Sequence, residues 1–247
     1  MSALTQLLDE KVYGEFEGNW DDDILRSTIL DAMEPDFHCC DYGAGRGYVQ
    51  QLDFRGNAKF IAGVDPDTEI EKNPFLDEFR VLDLDTGLID YPDSSFDLVY
   101  SDNVLEHVDE PDKTFAEVRR VLKPGGQFIA KTTNAFHYMP LIARFTPQWF
   151  HTFYNKLRGR PKGDTFPTRY RVNSARRVHS FAAKHGFEVD RIRRIEGRPE
   201  YLRIFFLSYL VGALYEKIVN STEHLAFARS VLLFELTKKA NATEKVA

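Results

Sequence analysis

The run Cys40-Asp41-Tyr42-Gly43-Ala44-Gly45-Arg46-Gly47 places a carboxylate at the end of an apolar segment, followed by glycines at every second position. Bare backbone of that kind lets a ligand approach where a side chain would block it. Two more acids follow at the ends of later apolar runs: Asp65, in Gly63-Val64-Asp65, and Asp83 or Asp85, in Asp83-Leu84-Asp85-Thr86. A carboxylate at Asp65 can accept from both hydroxyls of a ribose, a charge-assisted pairing. Asp83, the preferred of the last two, can accept from an adenine amino group while the Leu84 N–H meets a ring nitrogen. Asp41, ahead of the first glycine, suits an ammonium and repels a phosphate. A dinucleotide fingerprint would need G-x-G-x-x-G. Here the third glycine comes one position early and Tyr48 stands in its slot. Histidine is the commonest general base, which singles out His107 and His137 as candidates for proton removal, with His151 beside them on the substrate side.

These residues need strands to bring them together. The predicted strands are Phe37–Cys40, Lys59–Val64, Phe79–Leu84, Phe96–Ser101, Gln127–Thr132, Phe187–Ile192 and Val231–Thr237. Asp21-Asp22-Asp23 predicts a helix start, since carboxylates accept from the open N–H groups there. Tyr48–Leu52 reads as the helix behind the glycines. Asn103 and Glu106 read as a capping box, and Pro111 opens a helix through Leu122. Asn173-Ser174 starts another, closed by His185-Gly186. Strands alternating with helices predict an α/β fold with helices on both faces of a parallel sheet. Ligands of such sheets sit beyond the carboxyl ends of the strands, where the three acids fall.

Composition narrows the class. The 247 residues are 43% hydrophobic, enough for a full core. The two cysteines, Cys39 and Cys40, are adjacent and cannot cross-link distant segments. The N-terminus lacks a basic start followed by an apolar stretch. A reducing, cytoplasmic setting is therefore expected, and the sequons at Asn220 and Asn241 are read as chance. No Cys/His cluster has metal-ligand spacing, so no metal is expected. The net charge of −6 hides an asymmetry: residues 1–141 carry 12 Lys and Arg against 29 Asp and Glu, and residues 142–203 carry 15 against 5. The acidic remainder and the lack of an RNA-binding module argue against nucleic acid.

The ordered set Asp41 to Gly47, Gly63-Val64-Asp65, Phe96-Asp97-Leu98-Val99, Asn103 to Val108 and Leu122-Lys123-Pro124-Gly125-Gly126 resembles the type-11 group of class I S-adenosylmethionine (SAM)-dependent methyltransferases. The resemblance spans about residues 10–133. It implies a Rossmann-like seven-stranded sheet, mostly parallel with the last strand antiparallel, and inserted cap segments. It implies SAM as cofactor and S-adenosylhomocysteine as product. Gly43 and Gly45 would line the methionine portion, with Asp41, Tyr42 and Gly47 in the same turn. Asp65 and Pro66 would meet the ribose, Asp83 and Leu84 the adenine, and backbone near Ser101 and Asp102 the sulfonium. Tyr13 would belong to a lid. The chain then divides into a lead-in over 1–35, a SAM-binding core over 36–134, and substrate-side insertions plus the last two strands over 135–247.

The segment Phe166-Pro167-Thr168-Arg169-Tyr170-Arg171-Val172-Asn173 resembles one in bacterial methyltransferases of glycan and cell-surface biosynthesis. With His151, it nominates Arg169, Tyr170 and Arg171 for the acceptor; arginines pair well with phosphate or carboxylate. The expected activity is methyl transfer to a hydroxyl of a small polar or glycan-like acceptor, phosphorylated or lipid-linked in one version. An N- or C-methyltransferase of a small metabolite, or a SAM-binding module without turnover, is the alternative. Residues 199–220 are predicted to form an apolar helix. Its apolar run, Ile204 to Tyr215, is twelve residues, too short to span a bilayer, which needs about 20, and the helix is expected to be buried on several sides. It packs on the sheet or across a homodimer in one reading and contacts the inner membrane surface in the other.

Overall fold

The computed structural model describes residues 3–14, 20–146 and 167–240. Seven strands form one sheet: β1 (His38–Tyr42), β2 (Phe60–Asp65), β3 (Glu78–Val81), β4 (Phe96–Asp102), β5 (Leu122–Thr133), β6 (Phe187–Ile195) and β7 (Val231–Lys238). Their spatial order is β3-β2-β1-β4-β5-β7-β6. β1 lies parallel between β2 and β4, pairing Asp41 with Gly63 on one side and with Tyr100 on the other. Chain order therefore reverses at β1, the switch point where open α/β sheets bind ligands. β7 enters antiparallel between β5 and β6. The Rossmann-like sheet with its antiparallel last strand is thus as expected.

The helices are α1 (Ala3–Val12), α2 (Trp20–Ala32), α3 (Pro111–Val121), α4 (Tyr138–Phe145), α5 (Ala175–Lys184) and α6 (Phe206–Asn220). Central strands are apolar on both faces because both are covered. On one face Phe115 and Val118 of α3 and Val178 and Ala182 of α5 pack on Val99, Phe128 and Phe234. On the other, Leu25 and Ile29 of α2 pack on Cys39, Leu98 and Ile129. Pro111 pre-sets the first turn of α3. The Ser174 side chain caps α5 by accepting from the Arg177 N–H.

Three local expectations fail. Tyr48–Leu52 is not a helix; only Gln50–Leu52 make a single 3-10 turn. The Asn103–Glu106 capping box is absent. Asn103 takes a left-handed φ of 52°, and the Glu106 carboxylate instead accepts from the Thr132 hydroxyl at 2.7 Å. β3 stops at Val81, so Asp83 and Asp85 lie in the loop beyond it. α6 is also less covered than expected. Tyr209, Gly212, Ala213 and Val219 are buried, while Leu207, Val211, Leu214 and Ile218 face outward. Among the described residues no helix is long and apolar enough to cross a membrane.

Candidate active site

The glycine turn begins where β1 ends. Gly43 has φ 86°, a conformation that costs a side chain, and a Cβ there would lie 2.1 Å from Val104 Cγ2. Bare backbone at Gly43 thus admits Val104, from the loop after β4. A Cβ on Gly45 would meet nothing within 4 Å, so this glycine faces open space. Gly47 does not: a Cβ there would come within 2.6 Å of Asn73 Oδ1. Asn73 steadies the turn by donating to the carbonyls of Ala44 at 2.9 Å and Gly45 at 3.3 Å.

Asp65 closes the same turn. Its carboxylate accepts the Gly45 N–H at 2.9 Å and the Asp67 N–H at 2.8 Å. Burial pushes its pKa up, against the pull of those two N–H groups. Asp41 is deeply buried and its Oδ1 has no hydrogen-bond partner. Desolvation, then the charges of Asp102 and Asp65, hold its pKa well above the usual carboxylate range. An unpartnered buried carboxyl is costly, and a ligand's ammonium group is the partner it fits. The Ser101 hydroxyl donates to the Tyr42 carbonyl at 2.8 Å, fixing the ends of β4 and β1 together.

Asp102 joins a charge cluster that sequence reasoning missed. Lys131 of β5 is 1% exposed, yet its ammonium meets Asp21 at 2.8 Å, Asp102 at 3.0 Å and also Asp22. Burial alone would lower the Lys131 pKa; the three carboxylates outweigh it and raise it. Burial raises those of Asp22 and Asp102. The signal was a lysine inside a strand read as buried. Its partners are the acids that open α2, so the ammonium ties that helix to the sheet.

Two hollows lie along this edge. The larger, about 820 Å³, is bounded by Tyr42, Gly43, Pro66, Leu82, Leu84 and Val104, with Asp85 at its wall. Asp83 does not line it; its carboxylate accepts from the Asp85 N–H and the Thr86 hydroxyl within a local turn. Of the two acids left open after β3, Asp85 is the one at the hollow, the reverse of the sequence preference. The smaller hollow, about 470 Å³, is walled by Trp20, Glu106, His137, Tyr138, Glu196 and Tyr201, among others. His107 lines both hollows and, among the described residues, is the one they share.

Nδ1 of His107 lies 3.1 Å from the Pro167 carbonyl. A carbonyl only accepts, so Nδ1 carries the hydrogen and a neutral ring keeps its lone pair on Nε2. His137 is 1% exposed and faces the smaller hollow. Tyr13 reaches neither hollow: it is buried against Tyr209, with its hydroxyl donating to Glu216 at 3.2 Å.

Arg169 pairs with Asp109 at 2.9 Å, and Arg171 reaches the same carboxylate at 3.5 Å; all three are well exposed. Arg169 edges the larger hollow, while Arg171 and Tyr170 line neither. The N–H groups of Arg169 and Tyr170 donate to the Glu106 carbonyl, and Asn173 donates to Thr132 Oγ1 and the Thr133 carbonyl. The segment thus carries Pro167 to His107. His151 lies outside the described residues. Among the described residues no group of His, Cys, Asp or Glu is placed to hold a metal ion.

Residues 40–130 match the family model described as a methyltransferase domain of the type-11 group. That stretch is a SAM-dependent methyltransferase domain of class I type. The methyltransferase domain covers β1 through most of β5, so the glycine turn, Asp65 and the His107 loop all fall within it. Sterol 4-C-methyltransferase strm-1 of Caenorhabditis elegans is 29% identical over 52% of this chain and 44% of its own length. The ubiquinone/menaquinone biosynthesis C-methyltransferase UbiE of Brucella canis is 26% identical over 65% of this chain and 60% of its own. The chain thus spans less than two thirds of these curated relatives. The fold also matches that of an S-adenosylmethionine-dependent methyltransferase from Mesorhizobium loti, with TM-score 0.56 at 17% identity over 89% of this chain and 97% of that one.

Proposed function

We propose that the protein transfers a methyl group from SAM to a hydroxyl of a small, polar, glycan-like acceptor. The observation that carries this reading is the sharing of His107 between an apolar-edged hollow at the switch point and a polar hollow beside it. In this reading the larger hollow takes the nucleoside, with Leu82 and Leu84 against the base, Asp85 at its edge, and Pro66 and Asp65 towards the ribose. Asp41 meets the amino end, and the open side of Gly45 passes the methionine backbone.

The bound cofactor supplies an activated methyl group on sulfur, with its own leaving group. What the chain must add is alignment, which can supply about 7–11 kcal/mol of a barrier in favourable cases. His107, its ring fixed by Pro167, stands where it can take the proton that the acceptor oxygen loses as the C–O bond forms. The products are a methyl ether, S-adenosylhomocysteine and a proton held on the imidazole. The smaller hollow carries Asp21, Asp22, Glu106 and Glu200 against Arg198. That balance disfavours a phosphorylated acceptor, and Arg169 and Arg171 are engaged with Asp109 instead.

A second reading, methyl transfer to carbon, is favoured by the two curated relatives, both named as C-methyltransferases. The polar walls of the smaller hollow weigh against a sterol or quinone ring there. The two are separated by a panel of neutral glycosides, sterols and quinone precursors with labelled SAM, scored for S-adenosylhomocysteine. Turnover of glycosides is expected, and His107→Gln should cut kcat about 10²–10⁴-fold with SAM affinity little changed. Turnover confined to the sterol or quinone compounds would replace the hydroxyl reading.

A further inference from the structure

The smaller hollow ends in a histidine and a carboxyl group whose pairing the fold leaves incomplete. His137 caps the start of α4, and its ring is packed edge-on to Tyr215 and against Tyr138. Neither ring nitrogen has a hydrogen-bond partner. Glu196, just past β6, is also buried, and its Oε2 accepts the Ser230 N–H at 2.8 Å. That same oxygen lies 3.6 Å from His137 Nε2. The gap is too long for a direct hydrogen bond and short enough for one oxygen atom to sit within reach of both. Native proteins rarely leave buried ring nitrogens unpartnered, so the exception calls for a physical reason.

The charge state of the pair limits what that ligand can be. Burial lowers His137 to about 4. Burial raises Glu196 to about 8, with Ser230 and Arg229 pulling down and Glu216 pushing up. Near neutral pH an uncharged imidazole therefore faces an uncharged carboxylic acid. One has a lone pair to offer and the other an O–H, the two halves of the bonding that an alcohol needs. Tyr138 and Tyr201 line the same hollow and offer flat apolar surface.

We propose that His137 and Glu196 form the acceptor-binding clamp of this cavity, seating one hydroxyl of an uncharged, hydroxyl-rich molecule between imidazole and carboxyl. The hydroxyl donates to the imidazole nitrogen and accepts from the carboxyl. This rests on the methyl-transfer reading but concerns a different group from the proton-accepting His107. The clamp binds a hydroxyl without reacting with it.

The test uses the full chain with S-adenosylhomocysteine bound and methyl glucoside as probe, following the His137 ring nitrogens by NMR. The probe should shift those signals, and His137→Phe, which keeps the ring and deletes both nitrogens, should weaken probe binding about tenfold, the loss of one neutral hydrogen bond. In turnover the same variant should raise the acceptor KM more than it lowers kcat, with SAM affinity by calorimetry unchanged. Glu196→Met, which deletes the carboxyl donor at similar length, serves if His137→Phe fails to fold and should behave alike, whereas Glu196→Gln, which keeps a donor for the probe and an acceptor for the Ser230 N–H, should bind the probe nearly as the parent does. Unmoved ring signals, or an unchanged acceptor KM in folded His137→Phe or Glu196→Met, would overturn the clamp. Probe binding at His137 without turnover of any acceptor would keep the clamp and discard the methyl-transfer reading.

Discussion

Asp65 holds Gly45: the carboxylate at the end of β2 accepts the backbone N–H of the middle glycine of the turn after β1, at 2.9 Å. Its other oxygen accepts from Asp67, so one side chain sets both the turn and the loop that follows β2. Asp65→Ala should lower SAM affinity by about tenfold or more, since it removes a hydrogen-bond acceptor and the support of the turn together. It should also cost about 1–3 kcal/mol of stability by orphaning two N–H groups. Calorimetry and urea melts read the two effects. Full stability with weakened binding would leave only the ribose contact, and unchanged binding would remove Asp65 from the site.

Lys131 is the only cation contacting the carboxylates of Asp21, Asp22 and Asp102 among the described ion pairs. Lys131→Met should destabilise by about 3–5 kcal/mol, because deleting one side of a buried ionic cluster strands the other. The loss should shrink on acidification, as carboxyls already pushed up by burial take protons. Adding Asp102→Asn should recover part of it. Urea melts at pH 7.5 and 5.5 check both statements, and equal losses at the two pH values would contradict the cluster account.

Glu196 makes stability fall as pH rises. Its folded value near 8 exceeds its ordinary 4.5, so between those values the folded chain holds a proton that the unfolded chain has lost. His137, lowered from 6.5 to about 4, works oppositely between those two values. The two offset each other below pH 6.5, and from there to about 8 Glu196 lowers stability as pH rises, with the same sign as the buried Asp41 and Asp102 carboxyls. The Glu196 share of that decline is up to about 1.4 kcal/mol per pH unit. Glu196→Gln should make the decline shallower by that share, as measured by denaturant midpoints at half-unit steps.

Gly43→Ala meets two obstacles, a left-handed φ and the Val104 side chain. A cost of about 1–3 kcal/mol is expected from the crowding alone. Val104→Ala in the same chain should return part of that cost and leave the φ penalty. A double variant no more stable than Gly43→Ala would assign the whole effect to the backbone. Thermal melts of the three variants decide.

The strands around the switch point were legible because each pairs an apolar run with a terminal acid, as in Cys39-Cys40-Asp41 and Gly63-Val64-Asp65. The helices α3 and α5 were legible through Pro111 and Ser174. Failures came where long-range contacts outbid local pattern. Glu106 looked like a helix cap but bonds Thr132 across the sheet edge. Tyr48–Leu52 had helical spacing, but the turn ahead of it is tied to Asn73 and Asp65. Glu196 sits in an arginine-rich stretch where an acid reads as a surface partner, and only the fold turns it inward beside Ser230. Arg169 and Arg171, which suggest an anion site in sequence, pair with Asp109 in the fold, a contact no local pattern announces.

The wall of the larger hollow is drawn from residues 42–114 plus Pro167 and Arg169, and most of the smaller one comes from the opening of α2 and from residues 132–138 and 196–231. Most of the two walls can therefore drift independently. On the proposed assignment, substitutions near Glu196 and Tyr201 would retune which molecule is modified while the half given to the methyl donor is inherited intact, with a single imidazole as the hinge of that division.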